Sequence, residues 1–130
     1  MDEATRRALS RGNVIDMTTT GRRTGEPRRI EIVFHNLDGR IYISGMPSRR
    51  KRAWLANLEA DSRLTIHLKG PSAKGLPAVD LPATARVIAD DAERRTIMPR
   101  IAANWRRTDV DVMVAYSPLI EVVFDEAAAA

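Results

Sequence analysis

The chain has 130 residues, of which 44% are hydrophobic and 29% charged, and these proportions predict one folded domain rather than a disordered chain. It contains no cysteine, which excludes disulfides, thiolate chemistry and cysteine-bound zinc or iron–sulfur clusters. No apolar run approaches the ~20 residues that a membrane-spanning helix requires. The polar N-terminus is not followed by the apolar segment of a secretory signal, so we expect a soluble, cytoplasmic protein.

Most of the positive charge lies in one segment of the sequence. The net charge of the chain is +4, yet between Arg22 and Arg52 nine basic residues stand against three acidic ones. Such a local excess indicates an anionic partner: phosphates, nucleic acid or a lipid surface. The chain has only two Trp, two Tyr and two Phe residues, a poor stacking platform for single-stranded nucleic acid. We therefore expect no nucleic-acid partner, and a peripheral contact with the inner membrane surface stays open.

The first part of the sequence predicts two strands joined by a basic loop. Residues 1–11 are polar and predict a short helical arm. Residues 13–19 are rich in β-branched side chains, which favour a strand. Residues 21–27 contain two glycines and a proline and predict a connecting loop. Apolar and polar side chains then alternate over 28–34, as in a half-buried strand.

The middle of the sequence predicts a hairpin followed by a helix. Residues 36–39 contain an Asp-Gly pair typical of a hairpin turn, and residues 41–43 continue as the partner strand. Residues 50–60 carry one apolar stripe at helical spacing, which predicts a short helix. Ser48 is the expected N-cap of that helix.

The last part of the sequence predicts three strands and two helices. Residues 64–68 alternate as a strand, residues 70–77 form a loop, and residues 79–88 are extended. Pro82 cannot donate a ladder hydrogen bond, so we expect it on an edge strand or at a bulge. The acidic start of 90–105 suits a helix N-terminus, and Pro99 predicts a kink or a break near Met98.

Two further elements complete the predicted domain, which spans residues 1–130 with an uninformative tail at 127–130. Residues 109–116 are ambiguous between helix and strand, with helix favoured, and residues 119–124 predict a final strand. About six short strands with inserted helices indicate an α+β fold: an antiparallel β-barrel with helices packed outside.

Four basic residues, Arg49 to Arg52, stand at the expected start of the helix over 50–60. A helix N-terminus carries about half a positive charge, so each cation there is unfavourable by roughly 0.3–1 kcal/mol. Free N–H groups and guanidinium groups together would form a phosphate site. The alternative is a solvated charge run, and this feature alone leaves both interpretations open.

Several motifs taken together resemble a known family. They are Thr18-Thr19-Thr20-Gly21-Arg22-Arg23-Thr24-Gly25-Glu26-Pro27-Arg28, then Asp38-Gly39-Arg40, Trp54-Leu55-Ala56-Asn57-Leu58 and Leu64-Thr65-Ile66. In this spacing the chain resembles the deazaflavin-dependent nitroreductase and quinone reductase family, from residue 13 to about residue 69 and more weakly to the final strand. The resemblance implies a split β-barrel that uses coenzyme F420, rather than FMN, to reduce quinones or nitro compounds.

The resemblance and the basic run together imply a set of cofactor-binding residues: Arg22, Arg23, Thr24, Arg28, Ser44, Gly45, Met46, Arg50, Arg52, Ala53, Trp54, Leu55, Ala56 and Asn57. The arginines and Thr24 would bind the polar side of the cofactor, and Ser44 to Met46 would approach its ring. The helix segment from Ala53 would border the cofactor, with the Asn57 amide donating to the ring or its ribityl chain.

The sequence departs from the family pattern in two places. The loop between Ile43 and Trp54 is two residues shorter, and Met46-Pro47-Ser48 replaces a segment that contains a lysine, so the basic run is expected to substitute for it. Near the C-terminus only Trp105 and Tyr116 remain as aromatic residues that could face a substrate. These departures weaken the quinone or nitro reductase assignment more than they weaken cofactor binding.

The sequence shows no catalytic constellation. His35 and His67 lie on predicted strands without metal-ligand spacing, so we interpret both as structural and expect neither a metal nor a catalytic side chain. The leading hypothesis is hydride transfer from reduced F420 to a small organic acceptor, for which the cofactor supplies the chemistry; a hydrophobic acceptor stays open. Tyr116 is a candidate proton donor to the product. The rival hypothesis is a non-catalytic protein of the same fold that holds a lipid-like, flavin or porphyrin-type ligand.

Overall fold

The computed structural model describes residues 1–10, 14–69 and 78–125, which form six strands and four helices. In chain order these are α1 Glu3–Ser10, β1 Val14–Thr20, β2 Pro27–Leu37, β3 Arg40–Ser44, α2 Ala53–Ala60, β4 Arg63–Lys69, β5 Ala78–Val87, α3 Asp91–Asn104, α4 Val110–Tyr116 and β6 Leu119–Phe124. All the predicted strands and helices are present, and 109–116 contains a helix, as favoured. The predicted loop at 70–77 and the tail at 127–130 lie outside the described residues.

The six strands form a closed antiparallel barrel in the order β1-β2-β3-β6-β5-β4. Closure comes from β1, which pairs with β2 on one side and with β4 on the other. A closed barrel leaves no sheet edge exposed. The predicted α+β barrel with helices outside is confirmed.

The turn between β2 and β3 is tighter than the sequence indicates. Strand β2 continues to Leu37, opposite Arg40, which leaves only Asp38 and Gly39 in the turn. Both residues have positive φ, 57° and 90°, as a two-residue turn with the twist of the flanking strands requires. The Asp-Gly pair is therefore the turn itself, and Asn36 belongs to the strand.

Two apolar cores lie on the two sides of the sheet. The barrel interior is filled by buried strand side chains that include Ile15, Met17, Ile43, Ile66 and Ile120, and Leu58 of α2 packs into the same cluster. A second cluster packs helices α3 and α4 against the barrel and includes Tyr42, Ile88, Met98, Ile101, Met113 and Leu119. Trp54 at the start of α2 belongs to the interior cluster, with 8% of its surface exposed.

Helix α2 begins at Ala53, so the expected N-cap, Ser48, is wrong. The N-cap is Arg52, in an extended conformation and with no side-chain capping bond. The Ser48 hydroxyl instead accepts from the backbone N–H of Arg50 at 3.1 Å. The basic run therefore lies in the segment before the helix, and the first-turn N–H groups have no side-chain cap.

The two prolines behave differently from the expectations. Strand β5 lies between β4 and β6, so Pro82 is not on an edge strand. The β5–β6 pairing ends at Ala83 opposite Phe124, and Pro82 lies one position beyond it. The Pro82 carbonyl still accepts from the backbone N–H of Asp125 at 3.1 Å, so the N–H that proline lacks is missing only where the β5–β6 pairing ends. Helix α3 continues through Pro99, so a break near Met98 is wrong, and the kink predicted as its alternative stays a prediction. No helix among the described residues has the length and apolarity to cross a membrane.

Candidate functional site

The β1–β2 loop presents basic side chains on a tight backbone. The N–H of Gly21 donates to the carbonyl of Glu26 at 2.8 Å, and the N–H of Gly25, at φ 73°, donates to the carbonyl of Gly21 at 2.8 Å. The Thr24 hydroxyl accepts from the N–H of Glu26 at 3.1 Å and from the Arg28 guanidinium at 3.4 Å. That hydroxyl keeps its own hydrogen, which it can donate to a ligand.

Asn57 joins this loop to helix α2. Its side chain is 4% exposed, and its Oδ1 accepts from the backbone N–H of Arg22 at 3.1 Å and from the Arg22 guanidinium at 3.2 Å. Its Nδ2 donates to the Thr19 hydroxyl at 3.2 Å. The amide expected to donate to the cofactor is thus bonded to the protein. Its observed contacts fix the position of Arg22.

Arg52, at the start of helix α2, is held by the strand end that was predicted to approach the cofactor ring. Its guanidinium donates to the carbonyl of Met46 at 2.8 Å. A Cβ at Gly45 would lie only 2.8 Å from the Arg52 guanidinium carbon, so a side chain at Gly45 would displace it. Ser44 is buried and donates to the carbonyl of Pro118 at 2.6 Å. Gly45 and Met46 therefore position Arg52, and Ser44 ties the strand end to the segment after α4.

The loop and helix α2 enclose a cleft of about 590 Å³, here called the arginine cleft. It is lined by Thr19, Gly21, Arg22, Arg23, Thr24, Arg28, Ile30, Arg52, Ala53, Trp54 and Asn57. Four of these residues carry guanidinium groups, and none of the lining residues in the described part of the chain is acidic. Uncompensated cations and uncapped helix N–H groups make a site for a polyanion. Ile30, Ala53 and Trp54 add an apolar wall.

A second cleft of about 360 Å³, here called the tyrosine cleft, lies between the segment before α2 and the segment after α4. Its charged and polar residues are Ser48, Arg49, Arg50, Lys51, Arg52, Glu59, Arg94, Tyr116 and Ser117. Its apolar residues are Leu55, Val87, Ile88, Ala89, Ala115, Pro118 and Leu119. Arg52 lines both clefts, so they are neighbours.

Arg94 supports the structure around the tyrosine cleft. Its guanidinium donates to the carbonyls of Ile88 at 2.9 Å, Val114 at 2.8 Å, Met113 at 3.3 Å and Ser117. Burial lowers the pKa of Arg94 below its ordinary value, because desolvation disfavours the charged form. The carbonyl oxygens oppose that effect and hold a cation beneath the cleft.

The two histidines have protein partners outside both clefts. His67 lies between the Thr18 hydroxyl, 2.7 Å from Nε2, and the Asp80 carboxylate, 2.8 Å from Nδ1. His35 is 3% exposed, and its Nδ1 lies 3.1 Å from the amide nitrogen of Asn104. Its ring meets Trp105 edge-on at 4.9 Å. Burial lowers the pKa of His35, so the imidazole favours the neutral form.

The structure brings eight of the fourteen predicted site residues together. Arg22, Arg23, Thr24, Arg28, Arg52, Ala53, Trp54 and Asn57 line the arginine cleft. Arg50 and Leu55 line the tyrosine cleft. Ser44, Gly45, Met46 and Ala56 line neither cleft, although the first three lie at the strand end that holds Arg52.

Sequence reasoning missed several lining residues. Thr19 and Gly21 stand within the motif that begins at Thr18 but are not among the fourteen predicted residues, and Ile30 lies in the alternation over 28–34, which predicts only a half-buried strand. Ser117 had no signal in the sequence. Its hydroxyl is buried without a hydrogen-bond partner among the described residues, a property that only the packing around it creates.

The fold is a split β-barrel: a closed six-stranded antiparallel barrel with outer helices, here with a polycationic cleft. A family model described as F420H(2)-dependent quinone reductase matches residues 2–125, so the chain belongs to this family. The family and its cofactor, coenzyme F420, are therefore those that the motifs predicted. No curated protein matches the chain by sequence.

Solved structures share the fold at low sequence identity. Atu2129, a protein of unknown function from Agrobacterium tumefaciens, has a TM-score of 0.72 and 19% identity over 92% of this chain, which spans about half (51%) of that protein. The conserved hypothetical protein Rv2991 from Mycobacterium tuberculosis has a TM-score of 0.75 and 19% identity, covering 97% of this chain and 82% of its own. A protein described as F420 reductase has a TM-score of 0.65 and 15% identity, covering 96% of each chain. At these identities the likeness establishes the fold alone.

Proposed function

We propose that this protein transfers a hydride from reduced coenzyme F420 to a small organic acceptor, such as a quinone or a nitro compound, and that the arginine cleft holds the cofactor. The observation that carries the proposal is the convergence of four guanidinium groups with no acidic residue among the described lining residues. Coenzyme F420 bears a phosphate and a polyglutamate chain, and a cationic cleft without counter-charge suits such a tail.

The residues present fit this cofactor in size and in chemistry. A volume of about 590 Å³ lies within the roughly 300–1,000 Å³ typical of sites for small molecules and cofactors. Arg22, Arg23, Arg28 and Arg52 would bind the anionic groups, and the Thr24 hydroxyl would donate to a phosphate oxygen. The ring system would lie against the apolar wall that contains Trp54.

The chain's own residues would bind and orient the cofactor and would exclude water from it. When bound, the deazaflavin would supply the hydride, so the reaction requires no nucleophilic side chain. Asn57 fixes the Arg22 backbone, and Gly45 leaves room for the Arg52 guanidinium, so both act by positioning cations. Trp54, which is 8% exposed, would keep water from one side of the ring slot.

The experiment is a fluorescence titration of the purified protein with F420, on wild type and on Arg28→Ala and Arg22→Ala variants. Each loss of a charge-assisted hydrogen bond is expected to weaken binding about tenfold or more. Arg95→Ala is the matched control, because Arg95 is exposed on α3, where it pairs with Asp91 and Asp111. Equal affinity in wild type and both cleft variants would contradict the proposed site.

Turnover separates the proposed reaction from the rival role of holding a ligand without chemistry. Oxidation of reduced F420 is followed by the recovery of its absorbance after 2-methyl-1,4-naphthoquinone is added. We expect multiple turnovers that depend on the protein. Tight F420 binding with no oxidation by quinones or nitro compounds would favour the binding protein instead.

A further inference from the structure

We propose that the tyrosine cleft binds the acceptor and that this acceptor is a compact aromatic compound carrying an anionic group. The inference rests on the proposed function and adds the chemical class of the substrate. Because Arg52 lines both clefts, a ligand in the tyrosine cleft would lie next to the cofactor. Its volume of about 360 Å³ suits one or two fused rings better than a long chain.

Basic side chains outnumber acidic ones around the tyrosine cleft. Five basic side chains line it, against one carboxylate, Glu59. Glu59 is already bound to Lys51 at 2.6 Å. The Arg50 guanidinium has no partner among the described residues, although its backbone N–H donates to Ser48. One guanidinium of the lining is therefore left available for an anion.

A buried hydroxyl provides an independent observation. Ser117 lines the cleft and is 3% exposed, and its Oγ has no hydrogen-bond partner among the described residues. An unsatisfied buried polar group costs about 1–3 kcal/mol, so a group of this kind calls for a ligand or another explanation. The Oγ is closed to solvent in this structure, so a small shift of the Ser117 side chain on binding would let a carbonyl, nitro or sulfonate oxygen of the acceptor accept its hydrogen.

An aromatic surface completes the cleft. Tyr116 is 42% exposed, and the Arg49 guanidinium lies 5.4 Å from the centre of its ring. The apolar side chains of Leu55, Ile88 and Leu119 also line the cleft. A flat apolar body would pack on these groups while its anionic substituent meets Arg50.

The chemistry balances without any other reactant. A quinone acceptor takes the hydride and one proton, together two electrons and two protons, and becomes a hydroquinone. Reduced F420 loses the same two electrons and two protons. The tyrosine cleft itself only binds and orients the acceptor.

An anion near Arg50 could also come from the glutamate tail of the cofactor, so the test separates these sources. Binding is first measured by calorimetry with naphthalene-2-sulfonate, which is redox-inert, on the protein without cofactor. We expect saturable binding that weakens about tenfold in Arg50→Ala and in Ser117→Ala, and is unchanged in Arg95→Ala. Affinity for F420 should stay the same in Arg50→Ala, because the tail is held in the arginine cleft.

Kinetics then compare 1,4-naphthoquinone-2-sulfonate with 2-methyl-1,4-naphthoquinone. In wild type the sulfonated quinone should have the lower KM, and its KM should rise with salt while that of the neutral quinone does not. Arg50→Ala should raise the KM for the sulfonated quinone about tenfold and leave kcat within twofold. Ser117→Ala should raise the same KM without lowering the melting temperature, because it removes an unsatisfied buried hydroxyl.

The outcomes are distinct. No F420 binding, or no oxidation with either quinone, overturns the proposed function and the acceptor assignment with it. Turnover with no preference for the sulfonated quinone, or with KM values unmoved in both variants, overturns only the acceptor assignment. A loss of F420 affinity in Arg50→Ala, with unaltered quinone KM values, would mean that Arg50 binds the cofactor tail. This result would also overturn the acceptor assignment.

Discussion

Replacing Asn57 by alanine tests how the arginine cleft is held together. The amide accepts from the Arg22 backbone and side chain at 3.1 and 3.2 Å and donates to Thr19 at 3.2 Å. Thr19 is 3% exposed, so its hydroxyl would lose a partner in a site that water reaches poorly. Leaving buried groups unsatisfied costs about 1–3 kcal/mol, and we expect Asn57→Ala to lower the free energy of unfolding by about 2–3 kcal/mol.

The same substitution should weaken cofactor binding through Arg22. Without the amide, the Arg22 side chain would be ordered only when the ligand binds. Ordering one such side chain costs about 0.5–1.5 kcal/mol, which corresponds to roughly two- to twelvefold in Kd. Chemical denaturation gives the stability, and a titration with F420 gives the affinity under conditions where the variant is folded.

Asn36→Ala is the matched control for this prediction. The Asn36 amide also joins two backbone segments, accepting from the N–H of Gly39 at 2.9 Å and donating to the carbonyl of Leu9 at 3.0 Å. It lines no part of the arginine cleft, so it should lower stability and leave F420 affinity unchanged. Normal F420 affinity in folded Asn57→Ala, or an equal loss in Asn36→Ala, would refute the role assigned to Asn57.

Three further predictions concern stability and selectivity. Burial lowers the folded-state pKa of His35, so the stabilising effect of the neutral imidazole is present above pH ~6.5 and is lost as the pH falls towards the folded pKa. In denaturant titrations between pH 7.5 and 5, His35→Gln should therefore lose less stability than wild type. An equal loss of stability in both proteins would contradict this. Trp54→Phe should lower the free energy of unfolding by about 1–2 kcal/mol and still be mostly folded, and it should bind F420 more weakly than wild type in a titration. Normal affinity would make Trp54 purely a core residue. F420 should bind more tightly than riboflavin, and its affinity should fall as the salt concentration rises. Tight riboflavin binding with no F420 binding would show that the site is misassigned.

Much of the fold follows from local patterns in the sequence. The alternation over 28–34, the Asp-Gly turn and the apolar stripe in 50–60 each express a periodicity that a strand, a hairpin or a helix imposes on its own residues. The motif that begins at Thr18 and the Trp54-to-Asn57 segment were sufficient to identify the family and its cofactor. These signals are readable because neighbouring residues in the chain carry them.

Other features depend on contacts between residues far apart in the chain. Arg22 and Asn57 are 35 positions apart, and only barrel closure and the packing of α2 reveal that the amide binds the protein before any ligand. The position of Pro82 is acceptable because β6 ends beside it, a fact of register that its own strand does not encode. The unpartnered hydroxyl of Ser117 and the position of Arg52 between two clefts likewise arise from burial and tertiary packing, which local periodicity cannot report.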